Sequence, residues 1–144
     1  MPDIEEIASI VVDEAYHIHR EIGPGLLESV YQKVLAASIR NRGLHVEAEL
    51  PVSFTYHGMS FDSELRVDLL VGGKLIVELK SSEQMAPVYS KQLLTYLRLT
   101  HRSLGLLINF GLPFFKDGCV RVVNGTNDFS TSPLRINHRS SPEP

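Results

Sequence analysis

The chain has one cysteine, Cys119, in 144 residues and no tryptophan. A lone cysteine excludes an internal disulfide and any cysteine-rich zinc site. No apolar run approaches the ~18 residues of a membrane span, so none is expected. Cations are no more abundant than carboxylates: the net charge is −3 and the pI is near 6.0. There is thus no general pull toward nucleic acid, and any phosphate binding must come from a local patch. The acidic start, Met-Pro-Asp-Ile-Glu-Glu, does not read as a signal peptide. Without secretion, Asn124-Gly-Thr126 is an accidental match to a glycosylation acceptor. These absences point to a cytoplasmic protein with no membrane partner.

What is present suits one domain. The length matches a single core, and 43% hydrophobic with 22% charged residues is an ordinary globular balance. Asp3 reads as the N-cap of a first helix, whose apolar residues Ile4, Ile7, Val11, Ala15, Ile18 and Ile22 recur at helical spacing. Gly23-Pro24-Gly25 breaks it, and Pro24 is expected to open a second helix running to about Arg42. Strands are expected over 46–56, 59–71, 75–80, 104–110 and 118–123, with a third helix from Pro87 to about Thr100. The domain spans 1–123, and a Ser-, Asn- and Pro-rich flexible tail, 124–144, follows. The order predicts an α/β fold. Three antiparallel strands cross over through the third helix to a parallel strand, giving a mixed sheet with helices on its faces.

The most informative stretch is Arg66-Val-Asp-Leu-Leu-Val-Gly-Gly-Lys-Leu-Ile-Val-Glu-Leu-Lys80. It reads as a β-hairpin turning at Gly72-Gly73. Val67, Leu69 and Val71 alternate with Arg66, Asp68 and Leu70; Leu75, Val77 and Leu79 alternate with Ile76, Glu78 and Lys80. A two-residue turn would mix both faces. A three-residue loop, Gly72 to Lys74, keeps one face wholly apolar, and so it is the register the pattern selects. It sets Asp68 opposite Glu78 and Arg66 opposite Lys80. Opposed Cβ atoms lie about 4.5–5.5 Å apart, close enough for two carboxylates to share a divalent cation. On an arbitrary hairpin these charges would pair crosswise on a solvated face. Here Leu70 and Ile76 share the charged face, which argues that it is covered, and covered charges are paired or metal-bound.

A hard cation such as Mg²⁺, or Mn²⁺ in its place, takes oxygen ligands and keeps several waters. Lys80, two residues from Glu78 on the same strand face, would position or deprotonate water or neutralise transition-state charge. Gln92 lies on a helical stripe with Val88, Tyr96 and Leu99. A buried amide there needs a partner, in backbone or water. Glu28, read by itself, is a first-turn carboxylate that favours the helix dipole. His17 and His19 fall on different helical faces and suggest no zinc site, and His19 is expected at the surface. Arg66, Lys91, Arg98 and Arg102 are candidate phosphate contacts, although each also reads as a solvated charge.

Gly25-Leu-Leu-Glu28-Ser-Val-Tyr31 resembles the motif that names the GxxExxY protein family. The blocks His19–Glu28, Arg66–Val71, Ile76–Lys80, Gln92–Tyr96 and Leu106–Phe110 are similar to that family in the same order, over about residues 5 to 123. The family is placed among PD-(D/E)XK nuclease-like proteins, with an αβββαβ, restriction-endonuclease-like core. The resemblance implies catalytic roles for Glu28, Asp68, Glu78, Lys80 and Gln92, with Asp68, Glu78 and Glu28 as metal ligands. Arg66, Lys91 and Tyr31 are the expected substrate contacts. Val67 stands where the superfamily's name has proline. Two functions compete: a Mg²⁺-dependent nuclease acting on DNA or RNA, and a nuclease-fold module that binds a protein or nucleic acid without cleavage. The intact Asp68, Glu78, Lys80 set favours the enzyme. The small size and acidic pI favour an additional protein partner or a homo-oligomer.

Overall fold

The computed structural model describes residues 2–125. Helix α1 (Ile4–Ile22) starts at Asp3 in a full capping box: the Asp3 carboxylate accepts the Glu6 N–H, and the Glu6 side chain accepts the Asp3 N–H. Helix α2 runs Glu28–Asn41, strand β1 Val46–Tyr56, β2 Met59–Val71 and β3 Leu75–Lys80. Helix α3 (Pro87–Thr100), strand β4 (Leu104–Asn109), a four-residue helix α4 (Phe115–Gly118) and strand β5 (Cys119–Val123) complete the order. The five strands form one sheet in sequence order; β3 and β4 are parallel and the other neighbours antiparallel. This is the expected mixed sheet, with α4 as an unforeseen addition. No helix among the described residues is long and apolar enough to cross a membrane.

Helices α1 and α2 cover one face. Ile7, Val11, Ala15, Leu35 and Ile39 pack there against Leu69, Val71, Leu75, Val77 and Leu79. Helix α3 covers the other, where Leu93, Leu94 and Leu97 meet Leu70, Ile76, Leu107 and Val122. Burial of these side chains, at about 1.5–3 kcal/mol each, is what holds the layers on the sheet.

The β2–β3 register is the expected one: Val71 opposes Leu75, Leu70 opposes Ile76, and Leu69 opposes Val77. Gly72 and Gly73 both take left-handed φ, +61° and +70°. A Cβ on Gly72 would also lie 2.7 Å from the Ile7 side chain, so the turn fits glycine there for two reasons.

Four expectations are corrected. Helix α2 starts at Glu28, not Pro24, because Gly23–Leu27 is held as an irregular loop in which Gly25 has φ +120°. Val67 leaves the Leu69–Val71 face and joins the cluster under α3. The alternation is broken at the adjacent rung, where Glu49 of β1 has a left-handed φ of +54°. Arg66 does not oppose Lys80: the β2–β3 ladder stops at Leu69–Val77, and Arg66 pairs with Pro51 of β1. Asn124 was assigned to the flexible tail, but its N–H donates to the Ser103 carbonyl and its side chain to that of Arg102. Residues 126–144 of that tail assignment lie outside the described residues.

Candidate active site

The site lies where β2 and β3 part. Beyond Leu69–Val77 the strands exchange side-chain bonds in place of ladder bonds. Glu78 Oε2 accepts the Asp68 N–H at 2.9 Å, and Asp68 Oδ2 accepts the Leu79 N–H at 2.8 Å. Each carboxylate therefore reaches the backbone of the other's strand, one rung beyond the end of the ladder. Glu78 is 8% exposed and Asp68 half-buried. Among the described residues neither Glu78 Oε1 nor Asp68 Oδ1 receives a protein hydrogen bond.

Burial sets the electrostatics. It pushes the Glu78 carboxyl up to about 8; the charge of Asp68 adds to the rise, while the Asp68 N–H and Lys80 oppose it. Burial also raises Asp68, against the Leu79 N–H and Lys80. Glu28 is largely exposed at the start of α2, yet partial desolvation and Asp68 raise its carboxyl too, with Lys80 opposing. One lysine thus faces three carboxylates. It makes no ion pair within 4 Å among the described residues, and its ammonium lies over the Tyr89 ring, 4.7 Å from the centroid.

The loop that carries the chain from Lys80 to α3 is pinned by Asn109, which is 1% exposed. Its Oδ1 accepts the N–H groups of Ser82 and Gly111, and its Nδ2 donates to the Gln84 carbonyl. At Gly111 a Cβ would fall 2.3 Å from the Ser82 carbonyl oxygen, so only glycine admits this approach. Ser81 Oγ donates to the Leu26 carbonyl at 2.6 Å and ties the same loop to the turn before Glu28.

Other sequence-derived roles change. Tyr31, an expected substrate contact, is fully buried. Its ring stacks on Phe110 at 4.4 Å, its hydroxyl donates to the Gly23 carbonyl, and it accepts the Leu26 N–H. It builds the turn that presents Glu28. Gln92 is exposed, and so is Val88, because the buried face of α3 is Ser90, Leu93, Leu94 and Leu97, one step round from the expected stripe. Gln92 precedes Tyr96 by one helical turn, and the Tyr96 phenol is raised by burial and by the charges of Glu78 and Asp68. Arg66 donates to the Glu49 carbonyl at 3.2 Å. Lys91 is exposed next to Gln92. Arg98 is exposed in the last turn of α3, and Arg102 lies beside Gly73 and Lys74, at the opposite end of β3 from Lys80. His19 is buried and bonds the Leu112 carbonyl, so it is not at the surface.

Glu49 and Tyr96 were not singled out as site residues in the sequence. The Glu49 charge raises both Asp68 and Glu28. Its only sequence signal is a carboxylate in a strand that pairs with the Asp68 strand.

The donor set fits a hard divalent cation: two desolvated carboxylates, each with an oxygen free of protein donors. Asp68 and Glu78 would hold it. Among the described residues no three His, Cys, Asp or Glu side chains gather tightly enough to form a complete cage. Glu28, at the exposed start of α2, lies near enough that Asp68 and Lys80 act on its carboxyl.

No curated protein and no solved structure matches the chain. A family model described as the PD-(D/E)XK nuclease superfamily matches residues 5–122. That span runs from the first turn of α1 to β5 and takes in each of Glu28, Asp68, Glu78, Lys80 and Gln92. The chain belongs to the PD-(D/E)XK nuclease superfamily.

Proposed function

We propose that the protein hydrolyses phosphodiester bonds in DNA or RNA with Mg²⁺ or Mn²⁺ held between Asp68 and Glu78, and that it is one of the GxxExxY proteins. The observation that carries this reading is the pair of desolvated carboxylates, Asp68 and Glu78, each bonded to the other's strand, with the Lys80 charge acting on both. A divalent cation bound there supplies Lewis acidity, lowering the pKa of water and polarising a phosphoryl oxygen.

The side chains divide the remaining work. Asp68 and Glu78 are fixed by each other's strand, so their orientation costs little on binding. The Lys80 ammonium neutralises charge that builds on the phosphorane-like transition state. Glu28 and the Gln92–Tyr96 pair border the site and orient the attacking water, with Glu28 accepting its proton. Lys91 and Arg66 contribute phosphate contacts at the rim, Arg66 through whatever donors its bond to Glu49 leaves free.

Purified protein is incubated with single- and double-stranded DNA and RNA in Mg²⁺, Mn²⁺ or chelator, beside Asp68→Asn. Cleavage that requires the divalent ion and disappears in the variant supports the nuclease. Binding of any of these nucleic acids without cleavage, unchanged by Asp68→Asn and by chelator, overturns it in favour of the non-catalytic module.

A further inference from the structure

Glu49 occupies an unusual position. In the β1–β2 ladder Ala48 opposes Leu69 and Leu50 opposes Val67, so Glu49 falls on the rung of Asp68. That is where both strands switch faces. Val46 and Leu69 pack under α1 and α2, whereas Leu50 and Val67 pack under α3. On β1 the switch is made by the left-handed φ of Glu49, +54°, a conformation that L residues with long side chains seldom adopt. The Arg66 guanidinium donates to the Glu49 carbonyl and so holds the kinked backbone. Such strain persists only where the surroundings impose it, and it collects at functional sites.

The kink leaves Glu49 exposed, with no ion pair among the described residues. Residues opposed across neighbouring strands have Cβ atoms about 4.5–5.5 Å apart, so the rung sets Glu49 beside Asp68. A separate observation points to a ligand there. Glu78 is more than nine-tenths buried, yet its Oε1 meets no protein donor among the described residues.

We infer that Glu49 is a positioning residue for the divalent cation: from β1 it adds a second outward negative charge, beside Glu28, that draws the ion onto Asp68 and Glu78. This rests on the metal-site reading above. Glu49 does not coordinate directly. It acts through the field at the site and through the water around the ion, and Arg66 on its carbonyl holds the backbone turn that carries it.

The test is calorimetric titration of the apo protein with Mn²⁺ alone, with Mg²⁺ as a second probe. Glu49→Gln should weaken Mn²⁺ binding by about three- to tenfold, as expected for one unit charge acting across a partly solvated site. Glu49→Asp should bind within about twofold of wild type, because the charge remains. Glu49→Gly relieves the left-handed backbone, so it should unfold at a higher temperature yet lose as much affinity as the glutamine variant. A purely structural role predicts the reverse for glycine, unchanged affinity with altered stability. If Glu49→Gln and Glu49→Gly bind Mn²⁺ like wild type while Asp68→Asn does not bind, the role of Glu49 is refuted and the metal site stands. If wild type itself binds no Mn²⁺, both fall together.

Discussion

Glu78 accepts the backbone N–H of Asp68, and Asp68 accepts that of Leu79, the residue after Glu78. Each carboxylate thereby replaces a ladder bond that the parted strands cannot make. The pair is structural before it is chemical, and that separates two substitutions at one position.

Asp68→Asn keeps an oxygen for the Leu79 N–H and removes a desolvated charge. In chelator it should be at least as stable as wild type. Asp68→Ala leaves the N–H of fully buried Leu79 without an acceptor, a penalty of about 1–3 kcal/mol relative to the asparagine variant. Urea unfolding of the three proteins in chelator measures the gap. Equal stability of the alanine and asparagine variants would show that the Leu79 bond is not made.

Tyr31→Phe separates support from substrate contact. The stack on Phe110 survives, but the Gly23 carbonyl and Leu26 N–H lose their partner, costing about 1 kcal/mol. The turn before Glu28 should loosen. Cleavage should slow several-fold while nucleic-acid affinity holds, because the ring is inside the protein. Filter binding and single-turnover cleavage on the same substrate give both quantities. Weaker binding with undiminished single-turnover rate would make Tyr31 a substrate contact after all.

The sequence carried the strand order and the Asp68–Glu78 register because a single physical pattern, apolar alternation through Leu69–Val71 and Leu75–Leu79, admits only one loop length. It failed at Val67 for the same reason: alternation assumes a regular ladder, and the ladder is irregular on the rung that Glu49 shares with Asp68. Gln92 was placed on a buried stripe because Val88, Tyr96 and Leu99 form a helical period as good as that of Leu93, Leu94 and Leu97. Only the packing of α3 on Leu70, Ile76 and Leu107 chooses between them. Tyr31 lies three residues after Glu28, a spacing that does not say which way its side chain turns. Its side chain points beneath the turn, a direction set by Phe110, which is 79 positions later in the chain.

The remaining prediction joins pH to metal. Burial holds the Glu78 carboxyl at about 8 in the fold, against 4.5 ordinarily, and Asp68 and Glu28 are shifted in the same direction. Between those values the folded state binds more protons than the unfolded chain, so stability falls as pH rises. The contribution is complete below the unfolded value and is lost as pH approaches about 8. In chelator, the melting temperature should therefore decline from pH 5 to pH 8. A divalent cation replaces the proton. Mg²⁺ should restore little at pH 5 and most at pH 8, by RT ln(1 + [L]/Kd), or about 2.7 kcal/mol at a hundredfold excess over Kd. Glu78→Gln carries no titrating group at that position. It should flatten the decline in chelator, melt higher than wild type at pH 8 without metal, and lose most of the gain from Mg²⁺. Thermal melts at the two pH values, with Mg²⁺ and with chelator, check all three. A wild-type melting temperature that rises with pH in chelator, or is indifferent to millimolar Mg²⁺ and Mn²⁺ at pH 8, would mean that these carboxylates are neutralised within the protein and hold no cation.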